Sequence, residues 1–307
     1  MLITFIHNNK AFLPEVSAYV DYFSARGITC EVIKSADLEK IKPDVAWHFM
    51  GTDTGKKNGW LTIHEYTSSS VPPMAALKNA LKRINNAKPD YRIFLNEYVR
   101  SAFSFSDGIA FGYRDMGVSA EWLTRPVSES SRPDSFIYVG ELQHRGIRKL
   151  LNAFSEGQMK GFSLLIISKD YENLSRDYRR FSNIRFEGPV PHAEIRTFIA
   201  DAAFAINFMP DQEPYNRQTS TKLLEYAACG VPVITSDYAW MRAFQEKYGG
   251  KYFYLNEDLS NFNWDAVDDF KYAFPDLTDW TWEKQIERSG ITNFLRERFT
   301  DINWKVS

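Results

Sequence analysis

Short apolar runs alternate with amphipathic helical stretches along almost the whole chain, and this alternation constrains the fold more than any other feature. Such a pattern marks βαβ units, in which helices cover a parallel sheet. In the first half, Leu2 to His7, Thr29 to Ile33, Asp44 to Phe49, Trp60 to His64 and Arg92 to Asn96 read as strands. Glu15 to Arg26 reads as a helix with Val16, Tyr19, Val20 and Phe23 on one face and Gly27 as its stop. Val71 to Asn86 reads as helical after its two prolines. The pattern breaks between Asp107 and Asp134, where the polar run VSESSRPD reads as a linker. A second series of strands follows at Phe136 to Val139, Ser163 to Ile167, Ile184 to Glu187, Phe204 to Phe208, Val231 to Thr235 and Tyr252 to Leu255. Helices are expected at His192 to Asp201 and Thr221 to Cys229, with one long helix from Trp282 to Phe299. The expected class is α/β: two Rossmann-like domains facing a cleft, over 1–126 and 135–280, with a linker at 127–134 and a C-terminal helix in 281–307.

Composition narrows the function classes. The 307 residues suit two domains. A net charge of −2 and a pI near 6.3 give no bulk attraction to nucleic acid. Two cysteines, Cys30 and Cys229, make no disulfide framework and point to a reducing, cytoplasmic setting. No run of eighteen apolar residues is present, and the start MLITFIHNNK reads as a first strand rather than a signal peptide. The five histidines are scattered and there is no Asp-x-Asp pair, so neither a metal nor a resident cofactor is expected. The hydrolase nucleophile elbow is also absent.

The richest segment is RQTSTKLLEYAACGVPVIT, from Arg217 to Thr235. It sets a hydroxyl-rich helix entrance, Thr219, Ser220 and Thr221, before a helix that ends at Cys229–Gly230 and runs into a buried strand. A helix start offers unpaired N–H groups and a positive dipole end, which suit a diphosphate. Lys222 and Glu225 are three apart and share a face. The lysine can hold a phosphate while the glutamate accepts bonds from a sugar diol. The bland alternative is a solvent-exposed ion pair worth a few tenths of a kcal/mol. A second phosphate-type turn is YVGELQHRGIRKLLNAF, where a strand ends at Gly140 and a helix begins near Gly146. Arg145 is its phosphate-binding candidate, followed by Arg148.

KLLEYAACGVPVIT resembles the nucleotide-sugar signature of family 4, or group 1, glycosyltransferases of GT-B fold. That signature has two glutamates separated by seven residues. Glu225 matches the second, but Arg217 stands at the first, and an arginine cannot accept bonds from sugar hydroxyls. Glu213, four residues upstream of Arg217, is a substitute if the loop is rearranged. In the family's G-R-L-x-x-x-K-G turn, Arg145 keeps the charge of the lysine, whereas Glu141 reverses that of the arginine. The resemblance implies that Gly188 and Val190, in NIRFEGPVPHAEI, present backbone to the nucleobase. It also implies a cleft-side histidine in the first domain, for which His64 of WLTIHEYTSSS is the match, and a last helix that crosses back onto that domain.

The resemblance implies transfer of a sugar from a nucleotide-diphosphate-sugar donor to an acceptor hydroxyl, with retention, without metal, in bacterial surface polysaccharide or lipopolysaccharide synthesis. Arg145 and Lys222 would stabilise the leaving diphosphate, and His64 would stand near the donor sugar. Gly140, Gly188, Val190, Arg217, Thr219, Ser220, Thr221 and Glu225 would bind the donor. A glycan or lipid-linked acceptor would sit near Asn8, Asn9 and His64. The rival from another class is a non-catalytic sugar-nucleotide-binding or partner subunit, for which Arg217 and Glu141 speak. Finally, Leu77, Leu81 and Ile84 form an apolar row beside Lys78, Lys82, Arg83 and Lys88. That row either packs on the sheet with a solvated basic face or makes a peripheral contact with the inner face of a membrane.

Overall fold

The computed structural model describes residues 1–7, 13–49, 53, 55, 59–123, 132–143, 145–302 and 304–305. Two compact units are present, one of Met1–Gly117 with Asp279–Ser307 and one of Val118–Thr278. Most of the linker expected at 127–134 lies outside the described residues, as do Asn8 and Asn9.

The first unit runs β1 (Leu2–Ile6), α1 (Pro14–Ala25), β2 (Thr29–Ile33), α2 (Leu38–Ile41), β3 (Val45–Phe49), β4 (Leu61–Tyr66), α3 (Ala75–Asn85), β5 (Tyr91–Phe94), α4 (Glu97–Phe103) and β6 (Phe111–Tyr113). Its six strands are all parallel, in the order β2-β1-β3-β4-β5-β6. The core between sheet and helices is rich in rings: Phe5, Tyr19, Phe23 and Trp47 are fully buried together. Sequence periodicity missed α4 and β6. β6 is only three residues long and lies at the sheet edge, too short to show an alternation.

The second unit runs α5 (Ala120–Leu123), β7 (Arg132–Val139), α6 (Ile147–Ser155), β8 (Ser163–Ile167), α7 (Glu172–Tyr178), β9 (Ile184–Glu187), α8 (His192–Ala200), β10 (Ala202–Asn207), α9 (Thr221–Ala228), β11 (Val233–Ser236), α10 (Ala239–Tyr248), β12 (Phe253–Leu255) and α11 (Trp264–Asp269). The strands again run parallel, ordered β12-β11-β10-β7-β8-β9. Counted from β7 this is the doubly wound dinucleotide-fold order, with its reversal point between β7 and β10. β7 begins at Arg132, so the last three residues expected in the linker are strand, held by register pairing of Arg132 with Ala202.

The chain then returns to the first unit through α12 (Trp282–Arg288) and α13 (Ile291–Arg298). One continuous helix was expected here; the structure has two. Gly290 adopts φ 71°, a left-handed conformation that ends the first helix and caps the second. The break lets Tyr91 donate its hydroxyl to the Ser289 carbonyl at 2.7 Å, and Ile286, Ile291 and Leu295 join the core around β1 and β3.

Candidate functional site

In a doubly wound sheet, ligands bind outside the carboxyl ends of the strands where the order reverses, because the flanking loops diverge there. In the second unit those ends are Val139, followed by Gly140, and Asn207, followed by Phe208. The loop after β7 turns sharply at Gly140, whose φ of 154° favours glycine. Tyr138 pins the loop by donating to the Glu141 carbonyl at 2.7 Å. Asp170 holds its next two residues, accepting from the N–H groups of Leu142 and Gln143. The Glu141 side chain is exposed. Arg145 reaches across to the loop after β10, where its guanidinium contacts the Met209 sulfur and lies 4.8 Å from the centre of the Tyr215 ring. The structure therefore brings Arg145 to the segment that carries Arg217 to Glu225.

α9 starts as expected, but its hydroxyls are not equivalent. Ser220 is the cap, accepting from the Leu223 N–H at 3.2 Å and donating to Asn207 Oδ1 at 2.7 Å. Asn207 in turn donates to Thr235 and Tyr238, both at 3.0 Å. The Ser220 hydroxyl, expected to face an anion, is engaged with Asn207 and the Leu223 N–H within the protein. Thr219 is also buried, and Thr221 opens the helix, partly exposed. Tyr226 fixes the helix to the sheet by accepting from the Val139 N–H at 2.9 Å. Arg217 ends a short 3-10 turn and pairs with Glu213 at 3.6 Å; both side chains are more than half exposed.

Glu225 is the centre of the site. It is only 3% exposed, yet its carboxylate meets Lys222 at 2.5 Å through one oxygen and His192 at 3.1 Å through the other. Burial alone would raise its pKa, but Lys222 and His192 outweigh burial and hold the carboxyl below the usual glutamate range. Each carboxylate oxygen has a second lone pair, so a diol can still bond to it. His192 is the first residue of α8, just after Gly188 and Val190, and its ring stacks on Trp122 at 5.4 Å between centroids. Arg196 of the same helix donates to the carbonyls of Glu121 and Trp122. The connection after β7 thus meets the one after β10 through Arg145, and the start of α8 meets α9 through His192 and Glu225. A separate cavity of about 220 Å³, lined by Ser135, Ser163, Asn183 and Arg185 among others, opens at the amino ends of the strands and lies away from this site.

His192 and Trp122 escaped the sequence reading. The only available signal for His192 was its place after the Gly188–Val190 segment; nothing in the local spacing tied it to Glu225, 33 residues on.

In the first unit, His64 is not presented at a strand end. β4 continues to Tyr66, which leaves His64 and Glu65 on opposite faces, both 0% exposed. His64 is paired through Nε2 with Asp53 at 2.8 Å, and His48 lies 3.9 Å from the same carboxylate. Burial depresses His48 to about 4 and also lowers His64. Burial would raise Asp53, but the His64 bond and the charge of His48 hold it at about 2. Glu65 is taken up by Arg114 and by the Trp47 indole at 2.8 Å. His64 is thus a fully buried residue paired with Asp53, not a residue exposed at the end of β4. Among the described residues, no three His, Cys, Asp or Glu side chains are grouped as metal ligands.

The family model described as glycosyl transferases group 1 matches residues 133–275, from the start of β7 past the end of α11. The whole chain has the GT-B fold. It is similar to AviGT4, a glycosyltransferase of avilamycin A biosynthesis, at TM-score 0.63 and 13% identity, over 99% of this chain and 100% of that one. HepE from Anabaena, in complex with UDP and glucose, matches at TM-score 0.63 and 13% identity over 98% and 100%. Sucrose-phosphate synthase from Thermosynechococcus elongatus gives the same four values. At these identities the likeness shows the fold. No curated protein matches the sequence.

Proposed function

We propose that the chain transfers a sugar from a nucleotide-diphosphate-sugar donor to an acceptor hydroxyl. The observation that carries this reading is Glu225: a buried carboxylate, kept ionised by Lys222 and His192, beside a helix start at the reversal point of a doubly wound sheet. Glu225 would accept the ribose hydroxyls, while Arg145, Lys222 and the first N–H groups of α9 would stabilise the departing diphosphate. HepE, with UDP in its complex, supports UDP as the first nucleotide to test. On this reading transfer is retaining and metal-free and places a hexose on a glycan or lipid-linked acceptor in cytoplasmic, bacterial surface-glycan synthesis.

A thermal-shift screen with UDP, GDP, ADP, CMP and their sugar conjugates tests donor binding, since a ligand of the folded state raises the melting temperature. One nucleotide diphosphate is expected to raise it, and a shift with none would overturn the reading. The exposed Glu213–Arg217 pair, standing where the family has a glutamate, favours a second reading as a non-catalytic donor-binding subunit. Donor binding without sugar transfer or donor hydrolysis, across a range of acceptors, would select it.

A further inference from the structure

α3 is attached to the first unit by its polar side. Asn79, its one buried residue, accepts from the Ser70 N–H at 3.0 Å and donates to the Ala102 carbonyl at 3.2 Å. Arg83 donates to the carbonyls of Phe103 and Ser104 at the end of α4. The apolar row that a sheet-packed helix would bury faces outward instead. Val71 is 47% exposed, Met74 64%, Leu77 47%, Leu81 48% and Ile84 72%. From Met74 these residues are spaced three and four apart, so they form one continuous stripe. Single exposed apolar residues are ordinary, but a continuous row of four, with Val71 just before it, marks an interaction surface.

The charge along the stripe says what it meets. Residues 71–88 contain Lys78, Lys82, Arg83 and Lys88 and no acidic residue, in a chain whose net charge is −2. Lys78 and Lys82 follow the border of the apolar row, one turn apart. Partial burial and the charge of Lys78 hold the Lys82 ammonium below the usual lysine range, a tension that a negative surface relieves. An apolar stripe bordered by lysines matches the boundary between acyl chains and anionic headgroups. Among the described residues no helix is long and apolar enough to cross a membrane, so such a contact lies along the surface.

We propose that α3, with Val71 and Met74 before it, is a membrane-docking face that inserts Met74, Leu77, Leu81 and Ile84 into an anionic phospholipid surface. This does not rest on the transferase reading.

Co-sedimentation of the full chain with vesicles tests it. Vesicles of phosphatidylcholine alone are compared with equal parts phosphatidylcholine and phosphatidylglycerol, at low and high salt. Binding is expected to the mixed vesicles, weakening as salt rises. The triple variant Leu77→Ser, Leu81→Ser, Ile84→Ser should lose it. Lys78→Gln and Lys82→Gln should each lower the partition constant roughly fivefold. All variants replace side chains outside the core, so their melting temperatures should match the parent. The proposal is overturned if the parent binds neither vesicle, or if the triple variant binds as the parent does. It is also overturned if the stripe instead joins two copies of the chain, seen as concentration-dependent dimerisation that the triple variant abolishes, without vesicle binding.

Discussion

Glu225 shows how one residue's role depends on its partners. As an exposed carboxylate three residues from a lysine it would contribute a few tenths of a kcal/mol. Buried between Lys222 and His192, it becomes a fixed acceptor whose charge is maintained at the reversal point of the sheet. Glu225→Gln keeps the shape and removes the charge. Nucleotide affinity should fall about 10- to 100-fold, as expected for losing a charge-assisted bond of about 1.5–3 kcal/mol, with the unfolding midpoint changed far less. Isothermal titration with the nucleotide found in the screen, alongside urea unfolding, checks both halves. An unchanged affinity would remove Glu225 from the site. The His48–Asp53–His64 group makes a prediction about pH. A neutral His48, with a folded pKa of about 4 against 6.5 unfolded, means that the unfolded chain binds more protons between these values. Stability present above pH 6.5 is therefore lost as pH falls towards 4, by up to about 1.4 kcal/mol per unit for this residue. His64, also depressed, adds in the same direction. His48→Gln should flatten that slope in urea melts between pH 7 and pH 4.5. An identical slope in the variant would mean that His48 is not held neutral.

Elements are set by short-range signals and corrected by their neighbours. The helix expected from Trp282 to Phe299 divides at Gly290 because β5 and β6 meet the chain at Ser289. A Cβ on Gly112 of β6 would overlap the Ser289 carbonyl, a backbone atom that cannot rotate away. Gly112→Ala should therefore destabilise the first unit by about 1–3 kcal/mol, seen as a lower urea midpoint. A midpoint equal to the parent's would show that this junction is loose. In the second unit, Tyr226→Phe leaves the buried Val139 N–H without its acceptor, at a cost of about 1–3 kcal/mol. Because that bond ties α9 to β7, nucleotide affinity should fall along with stability in the same titration. α3 shows the limit of periodicity at this scale: the apolar row was legible, but the side of the helix that the unit holds was not.

At the scale of the whole molecule, the first unit is built from both ends of the chain. Ile286, Ile291 and Leu295, all 0% exposed, lie in the same core as Ile3, Phe5 and Trp47. Each such side chain contributes about 1.5–3 kcal/mol by burial, so ending the chain at Thr278 removes several kcal/mol from this unit alone. The truncated chain should lose the calorimetric transition of the first unit and keep that of Val118–Thr278, which has its own sheet and core. Retention of both transitions would show that the C-terminal helices only decorate the unit.

The sequence by itself determined the α/β class, the parallel series of strands, the start of α9 and the Lys222–Glu225 pair. Each is a local matter of hydrophobic period, capping chemistry or one helical turn. Only the tertiary structure decided that His192 and Trp122 back Glu225, that Ser220 serves its own helix, and that His64 is buried beneath a longer β4. It also decided that α3 turns its apolar row outward. Periodicity marks which face of an element is apolar, but what lies against that face depends on chain segments tens to hundreds of residues away.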